Sequence, residues 1–212
     1  MRTFLSVEPD IELALSFLSF VFASALEGGY VNLFGIERGS GQRRTAWAPV
    51  EDLSKLAEPL WRLGTRGDVW FGCALRKEPL PNGQRGGVVD CLSITGLWLD
   101  VDVAGAGHRL AGQAKSFDEA RLFINRHPAK PDAIVRSGHG FQAWWLAVEP
   151  LYANEALDYL ARWRVTWLAY AKEAGIVIDD VWDLPRIMRV PGTYNHKGSE
   201  PVKVTARWKG HR

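Results

Sequence analysis

Hydrophobic and polar positions in this chain follow two periods in turn. Helical spacing of apolar residues starts after Pro9-Asp10 and predicts a helix running to Gly28-Gly29, with Asp10 near its N-terminus. Residues 30–37 alternate as a strand should, with Val31, Leu33 and Gly35 on one face. A Gly-rich basic turn over 38–44 and a helix over 52–63, stopped by Gly64, come next. Residues 68–75 (DVWFGCAL) read as a strand and 77–87 as a loop rich in Pro, Gly and charge. Residues 96–103 (GLWLDVDV) are the most strand-like piece of the chain. A flexible loop over 104–115 leads to a helix capped by Ser116 and ending near Asn125.

In the second half, strands over 132–136 and 141–148 flank Ser137-Gly138-His139-Gly140, a hairpin turn. A long helix over 154–174 is ended by Gly175. A short β-branched strand (176–179), a short helix then turn (184–195) and a final strand (201–208) complete the chain. Mixed elements with a clear hairpin predict an α+β fold with a mixed sheet, and count against an all-parallel doubly wound one. Trp144 and Trp145 face opposite sides of their strand, and Trp163 and Trp167 read as helix core.

Composition narrows the function classes. A chain of 212 residues, 47% hydrophobic and 24% charged, is an ordinary soluble globular protein and not a disordered or fibrous one. A net charge of +2 excludes a strongly basic nucleic-acid coat but not a local basic groove. Cys73 and Cys91 are too few for a disulfide framework and lack the spacing of a zinc site, which fits a reducing compartment. The apolar stretch 13–26 is too short to span a bilayer. Glu8, Asp10 and Glu12 precede it where a signal peptide carries positive charge, so a cytoplasmic location is expected.

Three constellations carry candidate chemistry. Asp100-Val101-Asp102 puts two carboxylates on one face of an apolar strand, a like-charge pair that a metal ion would reconcile; the alternative is a strand end with solvated acids. In the Arg136–Gln142 segment, small residues let backbone amides approach an anion, with Ser137 and His139 as side-chain donors; the alternative is a tight turn that needs glycine. Asp179, Asp180 and Asp183 lead into Arg186, Arg189, Asn195 and Lys197. If that segment is helical, Arg186 and Arg189 share a face suited to a triphosphate; the alternative is a salt bridge between Asp183 and Arg186. A P-loop and a GxSxG nucleophile elbow are both missing from the sequence. His108, His127, His196 and His211 lack paired metal-ligand spacing and read mostly as surface residues.

The order of these pieces resembles the archaeo-eukaryotic primase superfamily, and within it the catalytic domain of phage and plasmid primase-polymerases. The resemblance runs from Val69 to Lys203 and rests on DVWFG (68–72), LWLDVDV (97–103), IVRSGHGFQAWW (134–145) and DLPRIMRVPGTYNHK (183–197). It implies an RRM-like metal- and nucleotide-binding core over 67–208 beside an N-terminal αβ portion over 1–66, in one catalytic domain spanning 1–212. It implies two Mg²⁺ or Mn²⁺ ions held by Asp100, Asp102 and a third acid. Asp179 is the choice for that acid and Asp180 the alternative, with Asp183 orienting Arg186 or supporting the metals from behind. The family usually carries a serine-x-histidine element whose His holds the nucleotide phosphates. Strand alignment puts that His at Gln142, with Gly140 in place of the serine, whereas Ser137-Gly138-His139 restores the literal pattern three residues earlier. Either Gln142 or His139 then joins Arg186, Arg189 and Lys197 on the triphosphate, with Asn195 on sugar or phosphate.

The implied function is template-directed nucleotidyl transfer, making or extending primers on single-stranded DNA from dNTPs or NTPs. A helicase domain or protein is an expected partner, since relatives of this type often continue into one. Arg38, Arg43 and Arg44, then Arg76, Lys77 and Arg85, then the tail with Lys203, Arg207, Lys209 and Arg212 are candidate template contacts, or else ordinary solvated loops. Two rival classes remain: a catalytically silent single-strand or origin-binding module on the same fold, and a metal-dependent nuclease.

Overall fold

In the computed structural model, which describes residues 7–25, 28–105 and 112–211, the apolar spacing after Asp10 does form a helix, α1 (Ile11–Val21). Asp10 caps it by accepting from the Leu13 amide at 3.1 Å. The helix stops at Val21, short of the expected glycine pair. Leu26, His108, Arg212 and residues 106–111 of the expected loop lie outside the described residues. Strand β1 (Tyr30–Glu37) has the expected bounds. The basic turn is tighter than its charge pattern indicated, because Arg43 and Arg44 already belong to β2 (Arg43–Pro49). The next helix begins as a 3-10 turn (Val50–Leu56) kinked at Asp52 and becomes α2 (Ala57–Gly64).

The run 68–75 is broken at Cys73 into β3 (Gly67–Gly72) and β4 (Ala74–Arg76). There the Cys73 amide leaves the ladder and donates to the Arg186 carbonyl at 2.8 Å. After the 77–87 loop come β5 (Cys91–Asp102), α3 (Phe117–Arg126) capped by Ser116, the hairpin β6 (Ala133–Arg136) and β7 (Gly140–Tyr152), and α4 (Ala153–Ala174). Gly175 closes α4 at φ 68°, the left-handed cap that its position predicted.

Two expectations in the last third fail. Residues 176–179 form no strand: Ile176 and Ile178 are buried, but the Ile176 amide is used in capping α4 and Val177 bonds to Gly112, so no ladder forms. The stretch 184–195 is not a helix but β8 (Ile187–Arg189) and β9 (Tyr194–Asn195). Sheet pairing of Met188 with Phe71 and Arg189 with Trp70 overrides its local spacing. Arg186 and Arg189 therefore share no helix face. The final strand is two, β10 (Val202–Lys203) and β11 (Thr205–Trp208), because the Val204 amide turns aside to the Thr193 carbonyl.

These strands build an α+β fold around a nine-stranded sheet in the order β11-β6-β7-β5-β4-β1-β3-β8, with β2 also paired to β1; β9 and β10 pair separately. The sheet is more uniform than the expected mixed one, since each of its strand pairings is antiparallel. It crosses the expected 66/67 boundary without a break. Register sets the two faces: Trp98, Asp100 and Asp102 lie opposite Trp144, Gln142 and Gly140, while Leu97, Leu99 and Val101 lie opposite Trp145, Ala143 and Phe141. The first face is covered by α1 and its C-cap: Phe17 and Phe22 meet Phe71, itself stacked on Trp144 at 5.4 Å. The second is covered by α4, whose Trp163 and Trp167 pack on Trp145, with Phe123 of α3 against Trp167. Asp100 and Asp102 thus continue the face of Trp98 toward the strand end.

The turn after β8 ties the C-terminal part of the chain to the start of α1. Gly192 has φ 87°, and its carbonyl accepts from the Asp10 amide at 2.8 Å. A Cβ there would collide with the Asp10 backbone. Gly192→Ala is expected to cost at least the ~1–3 kcal/mol of a non-glycine residue forced into that region. A lowered urea midpoint with an unchanged slope would show it; an unchanged midpoint would mean that the turn and α1 are not coupled.

Candidate active site

The end of β5 presents Asp100 and Asp102 beside the β6–β7 turn. Burial pushes the Asp100 carboxyl up to about 7; Asp102 and Asp179 add to the rise, against the Gln142 hydrogen bond and the Arg186 charge. Burial and Asp179 push Asp102 up to about 6, with Lys197 opposing. Asp100 Oδ2 accepts from Gln142 Nε2 at 3.3 Å, while its buried Oδ1 has no hydrogen-bond partner. A buried orphan acceptor and two frustrated acids are what a hard dication relieves.

No three His, Cys, Asp or Glu side chains among the described residues are drawn together as a finished metal cage. Mg²⁺ is usually held by one or two carboxylates plus substrate phosphates and water, and the carboxylate pair with its orphan oxygen is of that kind. The oxygen donors present therefore fit such an ion. The three candidate third acids separate cleanly. Asp179 raises both paired aspartates, so it stands within electrostatic reach. Asp180 is turned to α4, where Arg164 grips it from Nε at 2.7 Å and Nη2 at 2.5 Å and holds its pKa below the ordinary value. Asp183 pairs with Arg186.

The cations divide into two groups. Arg186 retains a buried Nε without a hydrogen-bond partner and bears on Asp100; Lys197 bears on Asp102. The His139 ring lies beside Gly198, 3.5 Å from where a Cβ would stand, which brings the β6–β7 turn against the segment that carries Lys197. Arg189 belongs to an internal brace instead. It pairs with Asp68, donates to Asn195 Oδ1 at 3.0 Å and lies over Trp70 at 4.2 Å. Asn195 in turn donates to the Ser137 carbonyl at 2.7 Å, tying β9 to the hairpin. Gln142 is also occupied at both ends, since its Oε1 accepts from the Arg189 amide at 3.0 Å.

Asp68, Trp70 and His196 were missed as members of this brace. Asp68 stood in a quoted motif, but nothing in its spacing showed that Arg189 would reach it across 121 positions. Burial works to raise the Asp68 carboxyl, yet contacts with His196 and Arg189 outweigh it and hold it well below the carboxylate range. The side chain of His196 is buried, as is His127, which stacks on Trp167 at 4.3 Å; neither is the surface residue expected. Arg76 is fully buried and donates only to the carbonyls of Ala74, Arg85 and Pro185, so it is no template contact. Lys203 and Lys209 pair with Asp10 and Asp132.

The acid pair sets a pH dependence. Both groups bind protons more tightly folded than unfolded between their ordinary value of 3.8 and about 7. Without divalent ions, stability is therefore expected to fall as pH rises through that window. Thermal melts in chelator should show a lower Tm at pH 7.5 than at pH 5, flattened by Asp100→Asn and reversed by added Mn²⁺. A wild-type Tm that does not change with pH would mean that the pair is solvated.

No family model matches the sequence, and no curated protein matches it. Solved structures match its fold. The primase-polymerase AEP domain of cyanophage S-2L aligns at TM-score 0.56 and 13% identity, over 97% of this chain and 94% of that one. The catalytic domain of primase RepB', in complex with initiator DNA, aligns at 0.54 and 16%, over 94% and 87%. A longer RepB' primase structure aligns at 0.53 and 15%, over 93% of this chain and 57% of that one. The chain therefore has the fold of an archaeo-eukaryotic primase catalytic domain.

Proposed function

We propose that the chain is a metal-dependent nucleotidyltransferase that makes or extends primers on single-stranded DNA. The observation that carries this reading is the half-buried pair Asp100 and Asp102, with a buried orphan oxygen on Asp100, within electrostatic reach of Arg186 and Lys197. Asp100, Asp102 and Asp179 would hold two Mg²⁺ or Mn²⁺ ions. Such ions, when bound, acidify an attacking 3′-hydroxyl and stabilise a departing pyrophosphate.

The protein's own side chains bind and orient. Arg186 offers a forked donor with its Nε still available, and Asp183 holds its other end. Lys197 supplies a point charge beside Asp102. His139, on the hairpin turn, is better placed for the triphosphate than Gln142, whose amide is consumed between Asp100 and β8. Arg189 and Asn195 act by positioning the 190–197 segment against the hairpin. A groove of about 720 Å³ lined by Phe34, Trp70, Arg43 and Arg85 abuts this brace, and its rings and guanidiniums suit the bases and phosphates of a template strand. The DNA-bound RepB' neighbour supports a nucleic-acid partner for this fold.

The test is a primer-extension and unprimed synthesis assay on single-stranded DNA with Mg²⁺ or Mn²⁺. Loss of several kcal/mol of charge stabilisation predicts a drop on the order of a thousandfold for Asp100→Asn/Asp102→Asn. Product from the unprimed lane identifies a primase. DNA binding without product in either metal would overturn the enzyme reading in favour of a silent binding module.

A further inference from the structure

We propose that a second groove, on the face of the sheet turned away from the aspartates, holds a further stretch of single-stranded nucleic acid. The groove has a volume of about 720 Å³ and lies between α3 and the β6–β11 pair. Pairing sets Thr205 opposite Arg136 and Arg207 opposite Ile134. All four side chains share one face, and the two arginines stand on its diagonal, roughly 7–8 Å apart at the backbone. Both are exposed.

The carboxylates that line the groove are already engaged. Asp118 pairs with Arg121 at 3.0 Å. Asp132 takes Lys209 at 2.6 Å and the Leu146 amide at 2.8 Å. The charge of Arg136 and Arg207 is thus left over for a ligand. Arg136 lies over the Phe117 ring at 4.3 Å, and Phe117 meets Phe141 edge-on at 5.6 Å. A guanidinium held over a ring is a platform on which a base stacks, while its diagonal partner takes a phosphate. An extended acidic peptide would instead add to the open edge of β11 through backbone bonds, but these cations stand on the sheet face and not along that edge.

Position supplies the link to the site. Arg136 immediately precedes the Ser137–His139 turn, and Gly140 beyond it pairs with Asp102. Along the chain, the groove therefore begins one turn away from the aspartate pair. The purpose of the strand rests on the function proposed above; its binding does not.

The test is fluorescence anisotropy of a labelled thymidine oligonucleotide across a salt series, comparing wild type with Arg136→Gln/Arg207→Gln. Each phosphate contact contributes about 0.7 to the slope of log K against log salt on a single strand, so losing the one made by Arg207 lowers it by roughly 0.7. Affinity at low salt should fall on the order of tenfold. Photocrosslinking of wild type to a 4-thiothymidine oligonucleotide guards against a misfolded variant: label is expected in the 133–141 or 205–209 peptides. An unchanged slope, or crosslinks confined to other peptides, overturns the groove. So does an acidic polypeptide that binds through these arginines while oligonucleotide binding ignores them. Metal-dependent triphosphate binding, measured on the same preparations, separates the two readings. Its absence from wild type sinks the enzyme and leaves the groove standing; its persistence beside an unchanged slope does the reverse.

Discussion

The side chain of Gln142 holds the two ends of this structure in one relation. Its Nε2 donates to Asp100 on the neighbouring strand, and its Oε1 accepts from the Arg189 amide of β8. Between β7 and β8 in the sheet order lie β5, β4, β1 and β3. Two strands so far apart can share one amide only if the sheet curls until its far edge faces β7. Asn195 repeats the closure by bonding both Arg189 and the Ser137 carbonyl. Buried amides with both ends satisfied fix a geometry more sharply than apolar packing does. The carboxylate at the centre of the candidate site therefore takes its orientation from the closure of the whole sheet.

That closure also explains which parts of the molecule were legible in the sequence. Elements whose cause is local came through: the Asp10 and Ser116 caps, the Gly175 stop, the 137–140 turn and the bounds of β1 are all written within a few residues of where they act. The expected alternation of β1 did not, because Val31 to Gly35 are all buried in the middle of the sheet. The paired aspartates came through for the same reason, since side chains two apart on a strand share a face. What failed depends on partners distant in the chain. The run 184–195 contains helix-compatible spacing, and only its pairing with β3 makes it a strand. Arg189, Asn195 and Gln142 were legible as polar residues near a site but not as a brace. Their partners, Asp68 and Ser137 among them, are brought to them by topology. Asp180 stood as the alternative to Asp179 in sequence, and Arg164 on a separate helix engages Asp180.

The brace divides the labour among cations of one motif. A guanidinium already paired with a carboxylate, hydrogen-bonded to an amide and laid on an indole has little left to give an anion. Arg189 is in that state and Arg186 is not, although both stand in the same short stretch. Electrostatics near the aspartates follow this split. Arg186 and Lys197, whose side chains take no part in the Asp68–Arg189–Trp70 contacts, oppose the rise in carboxylate pKa.

The same constraint bears on the residue that stands where the related pattern has histidine. A neutral imidazole offers one donor and one acceptor, and a protonated one offers two donors. A charged histidine at 142 would leave the Arg189 amide without an acceptor in a site where unmet backbone groups are costly. Glutamine keeps both roles at every pH. In the proposed reading, the phosphate-facing role passes to the hairpin turn, where His139 stands between Gly138 and Gly140 and against Gly198. Gly138 has φ 101°, and a Cβ on it would press within about 3.0 Å of the Asn195 side chain. The turn that would carry the histidine and the amide that closes the sheet are thus packed against each other. A strand end made rigid for structural reasons leaves its neighbouring turn as the place where a ligand-facing histidine can stand.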